Sequence, residues 1–139
     1  MTLVEITQDG KVLTTELSAA PEADLELGPD ADLDAVAESL ASAKQVAVRF
    51  PAFSDGRGYS IARRLRNQYG YRGRLLAVGD VLVDQVHLMA RVGFDAFLLK
   101  EGQKPEKAAQ SLARYQSVYQ ASADGQRPVW ELRRRNKAA

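Results

Sequence analysis

Two glycines, a carboxylate and a guanidinium stand within four residues of one another at Asp55-Gly56-Arg57-Gly58, and a second carboxylate follows a glycine at Gly79-Asp80. Backbone amides at glycine-rich helix starts attract anions, and an arginine adds a two-pronged donor for carboxylate, phosphate or a sulfur oxyanion. Sulfite or a phosphate group fits that chemistry. With Lys100 and Glu101 added, the same residues describe a second arrangement, in which Asp55, Asp80 and Glu101 hold Mg²⁺ and Lys100 is a base for enolate chemistry. A third reading takes Gly56-x-Gly58-x-x-Ile61 as part of a dinucleotide fingerprint with Asp80 as the ribose acid; it lacks the third glycine. The plainest reading makes Asp55 and Asp80 helix caps, pairs Arg57 with one of them, and gives the glycines to turns.

Other chemistries have less to stand on. The chain has no cysteine, so it has no disulfide, thiolate metal site or redox thiol of its own. No cofactor is evident, and a redox role would need a borrowed one. His87 is the one histidine and falls within a helical stretch beside Leu88 and Met89, a place for a packed or half-exposed side chain, and no metal site is read there. There is no Gly-x-Ser-x-Gly elbow for a serine hydrolase. Nineteen basic and eighteen acidic side chains leave a net charge of +1, so no global field recruits nucleic acid or membrane. The dense basic run Arg133-Arg-Arg135, near Trp130, reads as a solvated polar tail over 126–139. The first residues carry no signal-peptide pattern and nowhere do eighteen apolar residues run together, so a cytoplasmic protein is expected.

The candidate residues must be positioned by the elements around them. At 139 residues, 45% hydrophobic and 27% charged, the chain has the size and composition of one soluble domain. Short β-branched runs at 2–6 and 11–17 flank Asp9-Gly10 and predict a hairpin over 1–17, which covers something or pairs with another chain, a homo-oligomer included. Residues 18–24 form a linker, 25–27 a short strand, and Leu33, Val36, Ala37 and Leu40 follow helical spacing, with Asp30 or Asp32 as cap. Strands at 45–50, 74–78 and 96–99 then alternate with helices at 60–69, 82–92 and 105–120, the last with Ala108, Leu112, Tyr115 and Tyr119 on one face. Repeats of this kind over 25–122 make parallel neighbours by right-handed crossovers. The expected fold is a small α/β domain, a mostly parallel sheet flanked by helices, with an N-terminal β-hairpin. Its carboxyl edge gathers Asp55, Arg57, Gly79, Asp80, Lys100 and Glu101, and Asp55, Arg57 and Asp80 are expected in one cleft.

Three stretches carry a resemblance. Phe-Pro-Ala-Phe-Ser-Asp-Gly-Arg-Gly-Tyr-Ser at 50–60, Ala-Val-Gly-Asp-Val-Leu-Val-Asp-Gln at 77–85 and Gly-Phe-Asp-Ala-Phe at 93–97 resemble the signature of an uncharacterised bacterial family. Its members are encoded beside the sulfite reductase hemoprotein in assimilatory sulfate-reduction operons and are labelled oxidoreductases of sulfite reduction. The resemblance spans about residues 25 to 130 and marks Phe50, Pro51, Asp55, Gly56, Arg57, Gly58, Gly79, Asp80, Asp84 and Gln85, with Phe53 inside the first motif. It implies an accessory protein of sulfite reduction that contacts the reductase or its electron donor. The alternative is a small enzyme or nucleotide- or anion-binding oxidoreductase with its site at Asp55, Arg57 and Asp80.

Overall fold

The apolar runs read above as central strands bury residues on both faces, as in β-strands 45–50 and 74–79, whereas the second hairpin strand is exposed over 13–16. A computed structural model describes residues 1–121 of the chain, and side chains as far as residue 113. The predicted polar tail with Trp130 and the arginines, and the side chains of Tyr115 and Tyr119, lie outside the described residues. The elements are β1 (Thr2–Ile6), β2 (Val12–Glu16), β3 (Leu25–Leu27), α1 (Ala37–Ser42), β4 (Gln45–Phe50), α2 (Arg57–Asn67), β5 (Arg74–Gly79), α3 (Val86–Val92), β6 (Ala96–Leu98) and α4 (Pro105–Ala121).

They build a 6-stranded sheet in the order β2-β1-β6-β5-β4-β3. β3 to β6 are parallel, and the hairpin joins them through β1, antiparallel to β6. Each crossover steps to the next strand in the same direction, so right-handed connections put the helices on one face. Side chains of all four helices accordingly share a core with Val46, Val48, Phe50, Leu75, Ala77 and Phe97. α4 roofs the hairpin and packs beside α3. The hairpin therefore extends this sheet, where the sequence had left open whether it covers the domain or pairs elsewhere.

The opposite face holds a smaller cluster, Leu3, Ala47, Leu76, Val78 and Ala96, without a helix residue. It is covered by a strap that the topology requires. β2 and β3 are the two edges of the sheet, about 24 Å apart at the usual strand spacing, and 17–24 must span that width nearly extended. Leu17 and Ala23 pack on the cluster as the strap crosses. Asp24 fixes its far end by accepting the amides of Lys44 and Gln45 at 2.8 and 3.1 Å.

Three helix starts differ from the spacing. α1 begins at Ala37, because 33–36 form a turn capped by Asp32, whose Oδ1 accepts from Asp34 and Ala35 N–H. α3 begins at Val86 after a turn in which Gln85 N–H donates to Leu82 C=O at 3.0 Å. α2 begins at Arg57, three residues earlier than expected. Glycine's poor helix propensity argues for a loop at Gly58. The packing overrides it, because a Cβ there would lie 2.5 Å from the Phe50 ring and only glycine lets the helix start so close to the strand.

Candidate functional site

The strand-end loops meet in one row because β3, β4, β5 and β6 are consecutive parallel neighbours. Phe50, the last residue of β4, lies opposite Gly79, the last of β5. Asp80 N–H donates to Phe50 C=O at 2.8 Å, and the chain turns at Gly79 with φ +94°. The Asp80 side chain is thereby aimed back over the β4 loop. Its Oδ2 accepts Phe53 N–H at 2.8 Å, and its Oδ1 lies 2.8 Å from Lys100 Nζ, delivered by the loop after β6. Gln85 Nε2 donates to Phe53 C=O at 3.1 Å. Both backbone polar groups of Phe53 are thus held by side chains of the β5–α3 connection, while the residue as a whole stands 54% exposed.

Arg57 forms the other half of the row. Its Nε and Nη2 donate to Asp55 Oδ1 and Oδ2 at 3.0 and 2.8 Å, and its Nη1 donates to Asp30 Oδ1 at 2.9 Å. Asp55 Oδ1 also accepts Arg57 N–H at 3.1 Å, filling the start of α2 with a carboxylate of the chain itself. Every loop is consequently tied to the next: β3 to β4 by Asp30 and Arg57, β4 to β5 by Phe53 with Asp80 and Gln85, and β5 to β6 by Asp80 and Lys100. Val83 N–H, donating to Gln103 Oε1 at 2.9 Å, adds a second tie between the last two.

The structure brings Phe50, Pro51, Phe53, Asp55, Gly56, Arg57, Gly58, Gly79, Asp80, Gln85 and Lys100 to this edge. It does not join Asp55, Arg57 and Asp80 in a shared contact, since the two acids turn to different cations. The donors that suited an oxyanion already hold carboxylates. Among the described residues no three His, Cys, Asp or Glu side chains gather as metal ligands, so the Mg²⁺ arrangement of Asp55, Asp80 and Glu101 is not formed. The space beside Gly58 that a pyrophosphate would approach is occupied by the Phe50 ring. Asp84 and Glu101 stand exposed next to the row. His87 is half-buried and meets Ser111 Oγ at 3.2 Å between α3 and α4. The grooves lined by Tyr59, Arg63, Leu88, Arg91 and Val92, and by residues 37–43 and 69–73, include none of the predicted site residues. The sequence reading missed Gln103, and took Asp30 only as a cap. Asp30 follows the Gly28-Pro29 turn after β3, and a strand read as parallel to β4 would have placed it beside Arg57.

Hydrogen bonds from Arg57, first from its side chain and then its backbone, hold the Asp55 carboxyl below its ordinary range. Lys100, then Phe53 N–H, do the same for Asp80. Neither acid is tuned toward neutrality as an acid–base catalyst would be. A folded pKa depressed below the unfolded one adds stability above the ordinary value of 3.8 and loses it as pH falls through the lower, folded value. The melting-temperature gap between wild type and Asp80→Asn is therefore expected to be full at neutral pH and to shrink as pH falls below the ordinary carboxylate value and through the depressed one. An unchanged gap across that range would show that the carboxylate charge is not what holds the loop.

These features define a class: a one-sided α/β sheet whose strand-end loops are laced together by their own charges and present an aromatic ring. Residues 24–130 match the family described as a bacterial protein of unknown function (DUF934), and the chain belongs to that family. No curated protein and no solved structure matches the chain. Among the described residues no helix is long and apolar enough to cross a membrane.

Proposed function

We propose that the chain is an accessory protein of assimilatory sulfite reduction that acts by contact with the sulfite reductase hemoprotein or its electron donor, through the loop that carries Phe53. The pathway rests on the resemblance of the three motifs. The mode of action is supported by one observation: Phe53 is exposed although both its amide N–H and its carbonyl are fixed by Asp80 and Gln85. A large ring held in advance in its bound position avoids an ordering cost on association, and aromatic anchors of this kind carry much of the energy of protein interfaces. The motif residues then serve to hold this loop, with no ligand cleft needed. Asp30, Asp55, Asp80, Asp84 and Glu101 outnumber Arg57 and Lys100 around it, so the matching surface has an apolar recess with a basic rim.

The test is capture from native lysate on tagged wild-type and Phe53→Ala protein, with mass spectrometry and a thermal melt of each. The reductase or its donor should be retained by wild type. Phe53→Ala should weaken that retention by about 30-fold or more, the effect of losing about 2 kcal/mol at a hot spot, without lowering the melting temperature. Wild type that retains neither sulfite-reduction protein would refute the pathway. Retention unchanged by Phe53→Ala would move the contact to another face.

A further inference from the structure

The two edges of the sheet are built differently. β3 has three residues, runs into Gly28-Pro29, and carries Glu26, paired with Arg49 at 3.1 Å. Short length, a nearby proline and edge charge are the usual guards against strand addition. β2 has five residues, no proline, and no charge from Val12 to Thr15, and residues 13–16 are exposed. Its Leu13 is 49% exposed.

The ladder to β1 fixes which backbone groups of this edge turn outward, away from every strand among the described residues. Leu17 N–H donates to Met1 C=O at 2.7 Å, the amino terminus donates to Leu17 C=O at 3.1 Å, and Thr7 N–H donates to Lys11 C=O at 2.8 Å. Thr15 pairs with Leu3 and Leu13 with Glu5 in the same register. Antiparallel ladders alternate, so 11, 13, 15 and 17 turn their backbone groups toward β1, and Val12, Thr14 and Glu16 turn theirs outward.

We infer that β2 is a self-association edge on which a second copy of this chain pairs antiparallel, with the two-fold axis at Thr14. In that register Thr14 faces Thr14 of the other copy, and Val12 faces Glu16. Each such pair exchanges two hydrogen bonds, giving about six across the axis. Leu13 faces Thr15, threonine pairs with threonine, and no like charges are opposed. The Lys11 end of one strand lies beside the Glu16 end of the other. A shift by two residues in either direction loses one of the three pairs. The axis is at the far end of the sheet from the β3 side, so dimerisation leaves the Phe53 loop of each copy uncovered, and the inference does not depend on the proposed role.

The absence of cysteine makes the register directly testable. The two Cα atoms of a hydrogen-bonded pair lie about 5.5 Å apart, within reach of a disulfide. Mild oxidation of Thr14→Cys protein should give mostly covalent dimer, while Leu13→Cys, displaced from its own copy across the axis, should give several-fold less. Light scattering on wild type should report twice 15.2 kDa. Thr14→Pro removes an N–H that points away from β1, so the hairpin should survive with an unchanged circular dichroism spectrum while the mass falls to that of one chain. A monomeric wild type, equal cross-linking at 13 and 14, or a dimer unaffected in folded Thr14→Pro protein would each overturn the inference. If Thr14→Pro fails to fold, the two cysteine variants decide.

Discussion

Alanine at Gly79 is expected to lower unfolding free energy by about 3 kcal/mol or more, from two costs that cannot relax together. A positive φ costs an L-residue about 1–2 kcal/mol, and Gly79 sits at φ +94°. The added Cβ would also lie 2.4 Å from Phe50 C=O, a backbone atom. That carbonyl cannot retreat freely, because it accepts Asp80 N–H and belongs to a residue whose ring is 1% exposed in the core against Tyr59 and Phe94. The shift in urea midpoint measures the loss, with Gly56→Ala as control: that position has a negative φ and nothing near the new Cβ, so it should move by well under 1 kcal/mol. Equal effects at the two sites would mean that the close approach of β4 and β5 can yield. The folded fraction of Gly79→Ala should also show a loosened Phe53 loop, seen as faster amide exchange at Phe53, because Asp80 is aimed by the turn at Gly79.

Replacing Arg66 by methionine is the second large loss, about 3–5 kcal/mol. The Arg66 side chain is 4% exposed and stands over the Tyr71 ring at 5.6 Å. Its Nη1 donates to Tyr71 and Gly73 C=O at 2.8 and 2.7 Å, and its Nη2 to Gly93 C=O at 2.8 Å and Asp95 Oδ1 at 3.1 Å. One guanidinium thus ties α2 to the turns that feed β5 and β6. Methionine keeps the apolar stem and leaves carbonyls and a carboxylate without that donor in a part-buried place, where an unmet group costs about 1–3 kcal/mol. Lysine should not restore stability, since one ammonium cannot reach acceptors spread around a planar fork. Denaturant melts of Arg66→Met and Arg66→Lys test this, and a loss below about 1 kcal/mol would show that water replaces the fork. This cluster lies at the opposite edge of the sheet from Phe53. Folded Arg66→Met protein should therefore bind the partner of the Phe53 loop as wild type does, which separates a stability defect from a contact defect.

The chemistry of the strand-end row carries a wider point. Asp55, Arg57, Asp80 and Lys100 have the residue types of a ligand or catalytic site, and in the fold they pair with one another, with Asp30 and with Phe53 N–H. Two charge pairs, Asp30 with Arg57 and Asp80 with Lys100, and the Asp80 and Gln85 hydrogen bonds to Phe53 tie each of the four loops to the next, and a ring stands exposed among them.

Much was legible before folding. Short apolar runs located strands near 45–50, 74–78 and 96–99, and Val46, Val48, Leu76, Val78, Phe97 and Leu99, which divide between the two faces of the sheet, are all buried to 7% exposure or less, because apolar content is a local property. The convergence of Asp55, Arg57, Asp80 and Lys100 on one edge was legible too, since parallel βα repeats put successive strand-end loops side by side. What the chain order could not decide was partnership. Whether Asp80 would face a ligand or Lys100 depends on where β6 delivers its loop, and whether Gly58 starts a helix depends on the ring of Phe50 beneath it. The hairpin's place beside β6, and hence the strap of 17–24 across the other face, depend on pairing between residues about 90 positions apart, such as Val4 and Phe97. Spacing records which face of an element is apolar; only packing in three dimensions chooses the face it meets, because that choice rests on shape and on hydrogen-bond partners far away in the chain.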